Sequence, residues 1–372
     1  MRILQLGKFY PVKGGVEKVM YDLVTGLSSR GIRCDMLCAS ATPGPGFTVP
    51  VNEYSDVHVC RTLRKVASTM LSPAMILKLR RMARDYDIIH VHHPDPMAAL
   101  ALMLSGYKGK VVLHWHSDIL KQKALLRAYS PIQSWLIRRA DMIVGTTPVY
   151  VKESPFLAEV QDKVTYLPIG VDRVVADPSK VEEVRRAFAG KRLILNVGRC
   201  IYYKGHEYLI EAAAMLPDDC HLIIAGEGPL RGKDQELIES LGLHDKVSML
   251  GFVSDEDLAA LYEACDVFVL SSVEKTEAFA IVQIEAMSCG KPVVATRIPG
   301  SGVSWVNADG ESGLNVPVRD SKALADAISA VLAPERYGEF SSGARSRYQS
   351  MFTKESMLDR CIGAYGKVLY NE

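Results

Sequence analysis

Short apolar runs alternate with amphipathic segments along the whole chain. Ile3, Leu4 and Leu6 mark a strand over residues 2–6, and Val16, Val19, Met20, Leu23 and Leu27 fall on one face of a helix over residues 15–30. Residues 34–38 read as the next strand. A long Pro- and Gly-rich stretch, residues 41–56, interrupts the pattern. Beyond it, helices are predicted over residues 75–84, 96–104 and 125–139, and strands over residues 88–91, 111–114, 142–145 and 164–167. The pattern then restarts. Strands are predicted over 193–197, 221–225, 247–250, 267–270, 292–296 and 314–316, with helices over 206–216, 232–241, 255–264, 278–287, 321–332 and 354–369. Strand–helix alternation of this kind specifies an α/β fold with parallel sheets. Two Rossmann-like, doubly wound units in one chain should face each other across a cleft, because ligands of such sheets bind beyond the carboxyl ends of the strands. The N-terminal unit is expected over residues 1–172 and the C-terminal unit over 173–352, with an exposed helical connector over residues 177–186.

Composition narrows the class. The 372 residues, 48% hydrophobic and 23% charged, suit a globular protein of two or three domains. The longest clean apolar run, residues 97–104, is far short of a membrane-spanning helix, and the first residues are too polar for a secretory signal. A cytoplasmic protein is expected. The eight cysteines are scattered without a C-x-x-C pair, which fits structural thiols in a reducing compartment.

The net charge of +1 conceals an asymmetry: residues 1–172 hold 22 Lys and Arg against 14 Asp and Glu. Arg61, Arg64, Lys65, Lys78, Arg80, Arg81 and Arg84, and then Lys121, Lys123, Arg127, Arg138 and Arg139, lie among apolar residues. Such segments can rest on an anionic membrane surface, here the inner face of the cell membrane, or can simply be solvated helix faces. No recognition helix, zinc spacing or stacking pattern accompanies the charge, so nucleic acid is not an expected partner.

Candidate chemistry gathers at the predicted strand ends. Gly14 and Gly15 precede a helix whose free amides favour a phosphate or a sugar oxygen, although a plain turn fits as well. His90, His92 and His93 with Asp95, and His114 and His116 with Asp118, follow two neighbouring strands. A metal site would need a defined ligand set, which the spacing does not fix. A polar wall that meets a sugar is the better reading, with His116 its best candidate. In the second half Arg199 and Lys204 follow a strand, as cations that neutralise a departing diphosphate would, or as ordinary surface residues. Glu277 and Glu285 flank a helix start whose intervening residues are almost wholly apolar. An embedded carboxylate needs partners, and ribose hydroxyls would serve Glu285. Glu277 is suited either to whatever the amides of Phe279, Ala280 and Ile281 bind or to capping.

These motifs resemble the family 4 glycosyltransferases, retaining enzymes of the GT-B fold. The family's E-x7-E is matched by Glu277 and Glu285, its A-M-x-x-G-x-P-V-V-A run by Ala286 to Ala295, its G-R-x-x-x-x-K-G by Gly198 to Gly205, and its Gly-Gly loop by Gly14 and Gly15. The resemblance implies that Arg199 and Lys204 bind the donor diphosphate, Glu285 the ribose and Glu277 the transferred sugar. It sets His116 beside that sugar, Gly15 over it and Phe252 near the base. It also implies that residues 353–372 cross back to the N-terminal domain. Attack on the donor's front face, with the leaving phosphate taking the acceptor proton, would then need no metal and no cofactor. The donor is expected to be a UDP- or GDP-sugar and the acceptor a polyprenyl-diphosphate-linked saccharide of a bacterial surface polysaccharide such as lipopolysaccharide, with a soluble acceptor for small glycosides or disaccharides as the alternative. One departure stands out: Ala280 occupies a position where the family often has glycine, which is harmless if its dihedrals are helical. A nucleotide-sugar 2-epimerase of the same fold and a non-catalytic sugar-nucleotide-binding protein remain as alternatives.

Overall fold

A computed structural model describes residues 1–66, 69–119 and 123–370. Lys121 and the Lys123 side chain, two of the basic positions named above, lie outside the described residues. The chain divides into two units, one of Met1–Gly170 with the chain from Lys354, the other of Val171–Thr353.

The first unit contains β1 (Arg2–Tyr10), β2 (Arg33–Ser40), β3 (Phe47–Asn52), β4 (Ser55–Cys60), β5 (Arg64–Val66), β6 (Thr69–Leu71), β7 (Ile88–His93), β8 (Lys110–Trp115), β9 (Met142–Gly145) and β10 (Val164–Tyr166). Eight of these form one sheet in the order β10-β9-β8-β7-β1-β2-β4-β3, while β5 and β6 pair as a separate hairpin. All neighbours in the large sheet run parallel except β3, which pairs antiparallel with β4. Ile3, Leu4 and Leu6 are fully buried, as a parallel sheet covered on both faces requires. The stretch read as an interruption thus contains the edge hairpin. Pro50 lies inside β3, where only an edge strand accommodates it, and that residue masked the strand in the sequence. The helices here are α1 (Val16–Ser29), α2 (Pro73–Met82), α3 (Pro96–Ser105), α4 (Lys123–Arg139) and α5 (Pro148–Lys152).

The second unit holds α6 (Pro178–Ala187), α7 (His206–Met215), α8 (Arg231–Ser240), α9 (Asp255–Ala264), α10 (Ile281–Ser288), α11 (Val303–Val306), α12 (Ser321–Val331) and α13 (Pro334–Arg347) around six parallel strands. These are β11 (Arg192–Val197), β12 (Cys220–Ala225), β13 (Val247–Gly251), β14 (Val267–Leu270), β15 (Val293–Thr296) and β16 (Gly313–Val316), in the order β13-β12-β11-β14-β15-β16. That is the strand order of a dinucleotide-binding Rossmann sheet. Ile194, Leu222, Ile224, Val267, Val269 and Val294 form the centre of its core with Leu209, Ile210, Leu324 and Ile328 from the covering helices.

The last helix, α14 (Lys354–Tyr370), packs in the first unit. It buries Met357, Leu358, Cys361, Tyr365 and Val368. Gly26 of α1 makes room for it, since a Cβ there would lie 2.5 Å from Leu358 Cδ1. Among the described residues no helix is long and apolar enough to cross a membrane.

Candidate functional site

In the second unit the strand order reverses between β11 and β14, the place where ligands of such sheets bind. The loops that leave these two strands are tied together. After β11 the chain passes Gly198 and Arg199, makes a 3-10 turn over Tyr202–Lys204, and reaches Gly205 at φ 63°. A Cβ on Gly205 would stand 2.4 Å from the Ser271 carbonyl oxygen, so glycine is what lets the loops touch. Ser271 Oγ donates to the Lys204 carbonyl at 2.9 Å, and the Val273 amide donates to the Tyr203 carbonyl at 2.8 Å. The contact brings Lys204 Nζ to 2.5 Å from Glu277 Oε2, which also accepts from Ser272 Oγ at 2.9 Å. Only 12% of the Lys204 side chain and 11% of that of Glu277 are exposed. Beside this pair Arg199 is exposed and makes no ion pair among the described residues.

The second carboxylate is held separately. Glu285 lies on α10, half-buried, and accepts from Tyr262 Oη at 2.8 Å. The helix begins at Ile281 and not at residue 278, because Ala280 has φ 63° and ψ 78°. The sequence reading left room for helical dihedrals at Ala280; the residue is left-handed instead, a conformation that costs a non-glycine residue about 1 kcal/mol. No side chain caps this helix. Phe279 offers backbone only, since its ring is buried edge-on against Phe352 at 5.9 Å. Phe252, just past β13, is 83% exposed.

In the first unit the order reverses between β1 and β7. Gly14 (φ 128°) and Gly15 (φ 59°) turn the chain into α1, which starts without a side-chain cap. His116 follows β8, 5% exposed. The other histidines do not form a polar wall. His90, His92, His93 and His114 are fully buried: alternation along the strands sets His90, His92 and His114 on one face, where their rings stack, and His93 on the other, and both faces are covered. His93 stacks on Trp115 at 3.7 Å between centroids. Asp95 caps α3, accepting from the amides of Met97 and Ala98 at 3.0 Å and from that of Lys8 at 2.5 Å. Asp118 accepts from Trp115 Nε1 at 2.9 Å and from Ser154 Oγ at 2.7 Å.

Burial holds these imidazoles neutral. It lowers His93 and His114 to about 3, and it lowers His90, His92 and His116, with help from neighbouring imidazoles. His90, His92 and His114 bring ring nitrogens close enough to share an ion, but their planes stack within 31° of parallel. Lone pairs in stacked planes run side by side and do not converge on one centre. Cys200, His206 and Asp234 also approach one another. There the Cys200 thiol donates to the Gly226 carbonyl at 3.4 Å and burial raises its pKa to about 11, which opposes the thiolate a metal needs.

Sequence reasoning missed Ser272, Ser301 and Tyr262, which hold the two glutamates, and Gln5, which contacts His92 and through it His116. Gln5 carried a signal: it is the one polar residue inside the first apolar strand run.

Comparison with known proteins identifies the family. Residues 179–347 match the family described as glycosyl transferases group 1, and residues 13–174 match glycosyltransferase family 4. The chain is 34% identical to the O-antigen chain mannosyltransferase C of Escherichia coli, over 99% of both chains. It is 32% identical to the D-rhamnosyltransferase WbpZ of Pseudomonas aeruginosa, over 95% of this chain and 92% of that one. Anabaena HepE, solved with UDP, superposes with a TM-score of 0.78 at 21% identity, over 99% of this chain and 100% of that one. The shared fold is GT-B, built from two Rossmann-like α/β domains.

Two outcomes are expected. Ala280→Gly relieves the left-handed backbone and should raise stability by about 0.5–1 kcal/mol, read as a shift in the urea midpoint. The buried histidines take up protons only on unfolding, so the stability they confer is complete above about pH 6.5 and is lost progressively between about 6.5 and 3. Urea unfolding of the wild type should therefore weaken from pH 7 to 5.5, by up to about 1.4 kcal/mol per histidine per pH unit. His114→Phe should flatten that slope.

Proposed function

This chain belongs to the GT-B glycosyltransferases related to the enzymes of bacterial surface-polysaccharide synthesis, and from that premise we propose that it is a retaining hexosyltransferase of family 4. It moves a hexose or N-acetylhexosamine from a UDP- or GDP-sugar to a hydroxyl of a polyprenyl-diphosphate-linked saccharide. The observation that carries this reading is the Lys204–Glu277 pair at the strand-order reversal, with Arg199 exposed beside it. In this reading Arg199 and Lys204 take the diphosphate. As the glycosidic bond breaks, negative charge grows on the leaving phosphate, and two cations in a site with little water oppose it. Glu277 and the open amides of Phe279, Ala280 and Ile281 take hydroxyls of the transferred sugar, with His116 and the Gly14–Gly15 loop acting on the same sugar. Glu285 takes the ribose, and Phe252 is near the base. Retention follows from front-face attack, in which the leaving phosphate oxygen accepts the proton of the incoming hydroxyl.

An acceptor with a lipid tail requires the enzyme to work at a membrane face. Support comes from exposed residues of the first unit. Leu63 (63% exposed), Leu71 and Leu77 (58%) are exposed close in sequence to exposed Arg61, Arg64, Lys65, Arg80, Arg81 and Arg84. Exposed leucines among cations fit the interface of an anionic bilayer. Arg139 has a different role, since it donates to the Gly109 carbonyl and pairs with Asp141.

A panel of UDP- and GDP-sugars, assayed for nucleoside diphosphate with and without a lipid-linked acceptor extract, tests the activity. Release from one donor that rises with acceptor is expected. Interconversion of the sugar without transfer would move the chain to the epimerases. Lys204→Ala should lower turnover about 100-fold or more while acceptor KM stays nearly constant; equal losses in both would remove Lys204 from the diphosphate. In co-sedimentation, vesicles containing phosphatidylglycerol should retain the wild type and lose L63D/L77D. Equal retention of both proteins would contradict the membrane surface.

A further inference from the structure

A chain of hydrogen bonds inside the first unit ends on His116. Gln5 on β1 is fully buried. Its Nε2 donates to Tyr365 Oη at 3.0 Å and faces Cys34 Sγ at 3.7 Å. In this orientation Oε1 faces His92 Nε2, 2.8 Å away. An amide oxygen cannot donate, so His92 Nε2 carries the proton. Neutral His92 then has a bare Nδ1, which lies 2.9 Å from His116 Nε2. His116 Nε2 must therefore be the protonated nitrogen, and the lone pair of His116 is left on Nδ1. That atom makes no hydrogen bond among the described residues.

We propose that Gln5 and His92 are positioning residues, and that the chain Gln5–His92–His116 fixes His116 as the Nε2–H tautomer, so that Nδ1 is a hydrogen-bond acceptor for a hydroxyl of the donor sugar. The proposal rests on the glycosyltransferase reading of His116 given above. It adds a specificity: a lone pair at Nδ1 welcomes a hydroxyl, which can donate, and repels a carboxylate, which cannot. A neutral sugar is favoured over a uronic acid in the same position. Tyr365 lies on α14, so the last helix of the chain takes part in setting the tautomer from the far side of Gln5. Burial supports the assignment, because it keeps both imidazoles neutral and each therefore has one proton to place.

Long-range nitrogen–carbon-proton correlation spectra of 15N-histidine-labelled protein at neutral pH, with His116→Gln to assign the signals, report the tautomer without any substrate. His116 should show a protonated Nε2 and a bare Nδ1. Gln5→Met removes the acceptor for His92 while keeping the side-chain volume. It should convert His116 to a mixture of tautomers and raise the donor KM about tenfold, the worth of one neutral hydrogen bond, with kcat changed about twofold or less. Observation of His116 as the Nδ1–H form in the wild type, or a Gln5→Met protein with both spectrum and KM unchanged, would overturn the proposal. Absence of transfer from every donor would instead reject the glycosyltransferase reading, since the spectrum of the free protein is independent of it.

Discussion

A parallel sheet covered by helices on both faces leaves side chains free to meet a ligand only in the loops beyond the carboxyl ends of its strands, and most freely where the strand order reverses. That constraint acts twice in this chain, between β1 and β7 and between β11 and β14. In the second unit it has a visible consequence. Two loops separated by some seventy residues of sequence are drawn together at Gly205 and Ser271, and a lysine and a glutamate that neither loop could hold alone meet at 2.5 Å. The pair is nearly buried, so each charge depends on the other. Removing one partner leaves an uncompensated ion in a site from which water is largely excluded. The same pairing keeps Lys204 extended beside Gly198, where a Cβ would be 3.1 Å from the lysine Cε.

The first unit uses its strand ends differently. Its glycines open the start of α1, while its histidines turn inward and become part of the core. Three imidazoles on β7 and β8, those of His90, His92 and His114, stack on one sheet face, and they are tolerated because burial removes their charge. His116 alone lies past the strand end, and its ring nitrogen is joined to the buried set through His92. Core and candidate site are thus one hydrogen-bonded system in this unit.

Much of this was legible in the sequence, and the parts that were not have physical reasons. Apolar runs such as residues 193–197 and 267–270 gave their strands directly, because a strand buried on both faces has no polar alternation to confuse the reading. The edge hairpin around Pro50 was hidden, since its residues are mostly exposed and its proline argues against a strand. Glu277 and Lys204 could be singled out by position, but their mutual contact could not, because it arises from loop packing between strands that are distant in sequence. Period-two spacing placed His114 and His116 on one side of β8, yet it could not say that this side is covered as far as the strand end. At Ala280 only the family's frequent glycine hinted at a left-handed backbone, because alanine favours helices and yet sits directly before α10 where the chain reverses its φ.

Arg199 decides whether the loop after β11 serves a nucleoside diphosphate, because it is exposed and can be replaced without disturbing the Lys204–Glu277 pair. Isothermal titration of UDP and GDP into the wild type and into Arg199→Ala is the most direct measurement. Saturable binding of one of the two nucleotides to the wild type, weakened at least tenfold in Arg199→Ala at unchanged thermal stability, is the predicted result, since a charge-assisted contact of this kind is worth about 1.5–3 kcal/mol. Binding of neither nucleotide, or equal affinity in both proteins, would contradict a diphosphate site at this loop.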